Sequence, residues 1–120
     1  MRFATWACVA LLAILSLTPG KVMPRTGLPG HTEHFIAYAA TSLIATAAYG
    51  RRGHHWARVT GLLAIYAGIL ESLQNFSPGR HPAVSDFLFS VAGDVCGGLA
   101  LLVLCHVSVH TLRLRWTGGP

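Results

Sequence analysis

Four long apolar runs take up most of this chain: Phe3–Leu17, Phe35–Tyr49, Val59–Leu73 and Phe87–Val109, within 120 residues. They are continuous rather than amphipathic blocks, and short connections rich in Pro, Gly and basic residues separate them. A bilayer core needs about 20 residues of helix. The fourth run meets that length unaided, and the other three reach it once flanking Thr, Gly and Trp are included. After four such segments nothing remains for a soluble domain. The expected fold is therefore an all-α membrane protein, 1–120 as a single domain. Its helices are expected near 3–19, 33–50, 56–74 and 86–110, arranged as an antiparallel up-down bundle of four transmembrane helices.

Charge is scarce at 11% of residues, and the net charge is +5. The nine basic residues lie at the ends of apolar runs instead of on one face, which excludes a nucleic-acid footprint. Arg2, Arg51, Arg52, Arg58, Arg113 and Arg115 fall on one side of the expected topology. Lys21, Arg25 and Arg80 fall on the other. The excess places both termini and the middle loop in the cytoplasm. Trp6, Trp56 and Trp116 fall toward the same boundary, as an interfacial aromatic belt would. No small-x-small cleavage site follows the first run, so it reads as an uncleaved anchor. Cys8, Cys96 and Cys105 lie inside apolar runs and read as small hydrophobes, not as a disulfide framework.

The four acids, Glu33, Glu71, Asp86 and Asp94, sit in or against these apolar runs. A carboxylate there is costly unless paired or neutralised, and so marks a candidate site. His31, Glu33 and His34 enter the second helix from outside. Glu71, Gln74 and Asn75 share a face at the outer end of the third, and Arg80 lies in the outer loop. Asp86 opens the fourth helix, with Asp94 about 12 Å further in at 1.5 Å per residue. Asp86, Ser90, Gly93 and Gly97 form one stripe on that helix, and His34, Tyr38, Thr41 and Ala45 form another on the second. Gly93-x-x-x-Gly97 and Ala64-x-x-x-Gly68 read as helix-packing motifs.

Glu33-His34-Phe35-x-Ala37-Tyr38, Glu71-x-x-Gln74-x-Phe76-x-Pro78-Gly79-Arg80 and Asp86 with Gly93 seven residues on resemble the VanZ-like family of small bacterial membrane proteins. The resemblance covers residues 30–98. Members often carry an Asp-Lys pair before the His, where this chain has Gly30 and His31. The resemblance implies a multi-pass protein of the bacterial cytoplasmic membrane, associated with glycopeptide (teicoplanin) susceptibility. The site expected on the outer face is Glu33, His34, Tyr38, Glu71, Gln74, Arg80, Asp86 and Asp94.

Those residues support several readings. One is a structural clasp in which Glu71 or Asp86 pairs with Arg80. Another is a pocket for a lipid-linked cell-wall intermediate or a glycopeptide, with the Arg80 guanidinium on phosphate or carboxylate. Others are a membrane enzyme, or an ion-coupled transport accessory with Asp94 as proton relay. The expectation is a non-enzymatic envelope role with no cofactor and no resident metal. The expected partners are the lipid bilayer and that ligand, with no nucleic acid and with a homo-oligomer left open. His54, His55, His106 and His110 read as interfacial.

Overall fold

A computed structural model describes residues 1–22, 27–50 and 54–117, and the side chains through 110. Expectations resting on Arg25, Arg51, Arg52 and Gly53, and on the side chains of Arg113, Arg115 and Trp116, lie outside the described residues. Every regular element among the described residues is helical: α1 (Arg2–Leu17), α2 (Gly30–Ala45) continued by a π turn (Thr46–Gly50), α3 (His55–Leu73) continued by a 3-10 turn (Gln74–Phe76), and α4 (Val84–Thr117).

Local chemistry explains the ends. Thr18 precedes Pro19 and is extended (φ −63°, ψ 131°), which stops α1. Pro29 precedes α2 with helix-compatible φ, and its carbonyl receives the Thr32 and Glu33 amides. Pro78-Gly79 prevents α3 from continuing, and Gly79 takes a positive φ of 77° in that turn. Observed and expected boundaries agree within a few residues at most ends. The exception is α4, which runs to Thr117, seven residues beyond 110.

By length and composition one helix among the described residues, over Val84–His110, is long and apolar enough to cross a membrane; α1 is apolar but 16 residues long. Large apolar residues face outward, and buried polar residues share the inside with an apolar core of Leu12, Tyr38, Ala67 and Leu70. Phe3, Trp6, Leu62, Ile65, Phe76, Val103 and Leu104 are exposed, whereas Thr5, Ser16, Thr41, Ser42, Thr46, Gln74, Ser90 and Asp94 are buried.

Direction alternates along the chain, as an up-down bundle requires. Glu71 meets Ala83 while Gly68 meets Phe87, so α3 and α4 are antiparallel. The closest pairing, however, is not between sequence neighbours. α4 lies principally along α2, and the two run parallel. A Cβ on Gly93 would overlap the backbone of Phe35, and one on Gly97 that of Ala39. The two glycines act as a small-x-x-x-small face that brings helix backbones together, as such motifs do in lipid. On α2 they meet Phe35 and Ala39, next to but not in the expected stripe, and of the two stripes His34 and Ser90 come together.

Candidate functional site

The expected site residues gather at one end of the bundle and continue down the α2–α4 seam. At the mouth, His34 Nε2 lies 3.9 Å from Asp86 Oδ2, with both side chains largely covered. His34 Nδ1 is 3.3 Å from Ser90 Oγ, which donates to the Asp86 carbonyl at 2.8 Å. Ser90 has one proton, and it is committed to that carbonyl. With Nδ1–H donating to Ser90 the neutral ring's Nε2 is an acceptor; in the charged ring both nitrogens donate, to Ser90 and toward Asp86. His31 adds a tilted ring contact to Phe89 at 4.8 Å beside this trio. Glu33 lies half-buried in the first turn of α2, where a carboxylate favours a helix N-terminus.

Glu71 and Arg80 do something other than the expected ion pair. Arg80 makes no salt bridge to Glu71 or Asp86 among the described residues. Its Nε donates to the Thr18 carbonyl at 3.1 Å and its Nη2 to the Leu15 carbonyl at 2.6 Å. Those are orphan carbonyls in the last turn of α1, where the helix dipole also favours a cation. Ser77 Oγ donates to the Leu17 carbonyl at 2.8 Å, and the Gly20 amide to the Pro78 carbonyl at 3.2 Å. Glu71 Oε1 accepts from the Ala83 amide at 2.7 Å, capping the start of α4 from a neighbouring helix. The clasp thus exists, but it is built from side chains on helix-end backbone. Beside it, a cavity of about 340 Å³ is lined by Glu71, Ser72, Asn75, Pro82 and Phe87, among others.

Deeper in the seam, Tyr38 is buried and lies within electrostatic reach of Tyr66, Glu71 and Asp94. Tyr66 Oη donates to the Val9 carbonyl at 2.8 Å, tying α3 to α1. Gln74 is buried with its amide nitrogen unpartnered. Asp94 is fully buried, and neither of its carboxyl oxygens has a hydrogen-bond partner.

Sequence reasoning placed His34 on one helix stripe and Asp86 with Ser90 on another, without joining the two. It passed over Ser42, Thr46 and Thr60, which are buried hydroxyls without partners. Their signal was the i, i+4 spacing of Ser42 and Thr46 on the face that carries Tyr38. No three His, Cys, Asp or Glu side chains among the described residues gather in a way that would hold a metal. Searches against family models, curated proteins and solved structures found no match to this chain.

Proposed function

We propose that this chain is a multi-pass protein of a bacterial cytoplasmic membrane, VanZ-like in type, that acts without catalysis by holding a polar envelope ligand at its outer end. All four helices cross the bilayer, and both termini are cytoplasmic. The observation that carries this reading is the outward apolar surface: large apolar side chains ring the outside of all four helices, while hydroxyls, an amide and a carboxyl share the inside with Leu12, Tyr38, Leu63, Ala67 and Leu70. A water-soluble monomer rarely exposes apolar surface so continuously. In lipid that surface is solvated, and buried polar groups mark function. α2 with its π turn is unbroken from Gly30 to Gly50. It therefore spans about 30 Å, the thickness of the hydrocarbon core.

The outer end supplies the recognition chemistry. His34 and Asp86 offer donors and acceptors at the mouth, and the cavity beside Glu71 and Asn75 is open to the same end. The head group of a lipid-linked wall intermediate, or a glycopeptide, presents phosphate, hydroxyl and amide groups at this depth. The resemblance adds to this, because the Glu71, Gln74, Arg80 and Asp86 block that carries it converges at this end.

Two experiments test the reading. In a cysteine-free background, Asn75→Cys is expected to react with a membrane-impermeant maleimide in outer-permeabilised cells, and His54→Cys is expected to react only after lysis. The reverse pattern inverts the topology and removes the envelope ligand. For the site, purified protein is titrated with a lipid-linked wall precursor and with teicoplanin. The pair His34→Ala/Asp86→Asn is expected to bind at least about tenfold more weakly at unchanged membrane level, a loss of about 1.4 kcal/mol. Equal binding by the variant, or none by the parent protein, overturns the ligand assignment.

A further inference from the structure

Asp94 is a carboxyl group with zero exposure, no hydrogen-bond partner and no cation beside it among the described residues. Three hydroxyls are in the same condition: Ser42 Oγ, Thr46 Oγ1 and Thr60 Oγ1 are buried and unpartnered. Their unpaired state is unusual in this molecule. The hydroxyls of Thr5, Thr41, Ser72, Ser90 and Ser108 each return to the carbonyl four residues back, the usual refuge of a helical Ser or Thr in apolar surroundings. Ser42, Thr46 and Thr60 forgo it.

These hydroxyls converge. A Cβ built on Gly98 would lie 3.4 Å from Ser42 Oγ, 3.4 Å from Thr46 Oγ1 and 3.5 Å from Thr60 Oγ1. Oxygens from α2, its π turn and α3 thus face one small space that exists because residue 98 has no side chain. Asp94 stands one turn before Gly98 on α4, with the Ser42 hydroxyl within hydrogen-bonding reach of its carboxyl, although no contact of strict hydrogen-bond geometry forms. Thr46 opens the π turn, and π turns are rare and concentrate at functional sites. Three hydroxyl oxygens from α2, its π turn and α3 therefore meet at one space, and a buried carboxyl lies one turn away along α4, beside Ser42.

We propose that this cluster is a sodium-binding site, with Asp94 as the charged ligand and Ser42, Thr46 and Thr60 as neutral ones. Hard cations take oxygen ligands in number, and membrane ion sites form near the bilayer midplane where a helix is irregular. One carboxylate neutralises one monovalent cation, so the filled site carries no net charge, whereas a divalent ion would leave a buried positive charge. A proton on Asp94 would satisfy one neighbour and leave the other hydroxyls orphaned. The titratable groups nearest the site are Tyr38 on α2, which faces Asp94, and Tyr66 and Glu71 on α3, which face Tyr38. None of them is a cation that could replace sodium. The site is separate from the mouth at His34 and Asp86, and it stands or falls independently of the envelope ligand.

The test uses dicyclohexylcarbodiimide, an apolar reagent for protonated carboxyls, on the purified full chain, with modification of Asp94 followed by peptide mass spectrometry. Sodium chloride at about ten times the dissociation constant is expected to slow modification about tenfold, since occupancy scales as one plus that ratio. Choline chloride at equal ionic strength is expected to have no effect. Asp94→Asn is expected to abolish labelling of that peptide. Gly98→Ala is expected to keep labelling but lose sodium protection, because its methyl enters the shared space at ordinary contact distance. Thr46→Val, nearly isosteric, is expected to weaken protection and serves if Gly98→Ala is poorly folded. Labelling that ignores sodium, or responds equally to choline, overturns the proposal.

Discussion

Gly97→Ala is expected to cost about 3 kcal/mol and Gly97→Leu to abolish the folded bundle, the upper range of overpacking effects. A methyl group at position 97 would overlap the carbonyl and Cα of Ala39, and those atoms are α2 backbone, not a side chain that can turn away. Gly93 stands in the same relation to Phe35 one turn earlier. To admit the methyl, α4 must move off α2, and that motion would uncover Tyr38, Ser90 and Asp94, which the two helices bury together. In the bilayer placement proposed for this bundle, polar groups so released have no water to replace the lost partners. Gly61 is the control, for it lies on α3 with nothing within 4 Å of its would-be Cβ. Gly61→Ala is expected to be neutral or stabilising by up to about 1 kcal/mol through helix propensity. Thermal melts by circular dichroism in detergent, together with size-exclusion profiles, distinguish the outcomes. A Gly97→Ala protein that melts with the parent would mean that α2 and α4 do not touch at this point.

How much of this was legible in the sequence follows from what each residue carries. The helices were, because apolar runs and Pro-Gly breaks are local. The stripes on α2 and α4 were also legible as stripes. The packing of α4 on α2 was not, since chain order favours neighbours while α2 and α4 are separated by a whole helix and two turns. The small-residue motif identified α4 as a close-packing helix without identifying its partner. Arg80 was read against the carboxylates, the partners visible in a sequence. It binds the Leu15 and Thr18 carbonyls instead, and every residue has a carbonyl, so no pattern announces one. The hydroxyls of Ser42, Thr46 and Thr60 looked like filler in apolar helices. Their importance lies in the bonds they fail to make, and that is a property of three dimensions alone.

Arg80→Ala should separate a structural role of this side chain from the ligand-binding role proposed for it. The guanidinium holds two carbonyls in the final turn of α1, and bonds to a charged donor contribute about 1.5–3 kcal/mol each. Allowing for partial solvent access, the variant is expected to lose about 3 kcal/mol in total. Arg80→Lys should recover only part of this, because one ammonium on a flexible stem cannot reproduce a planar fork spanning both carbonyls. With the guanidinium gone, Ser77 and the Gly20 amide still join α1 to the α3–α4 connection. The bundle should therefore persist with a loosened first helix. Ser16 reports this directly, being buried on α1 one residue from Leu15. In a cysteine-free background, alkylation of Ser16→Cys is expected to accelerate in Arg80→Ala, together with a lower melting temperature. If instead melting and alkylation stay at parental values while ligand binding disappears, Arg80 acts on the ligand. The bonds to α1 would then be a resting position for its guanidinium, and the stability of the outer end would have to come from Glu71, Ser77 and the Gly20–Pro78 contact.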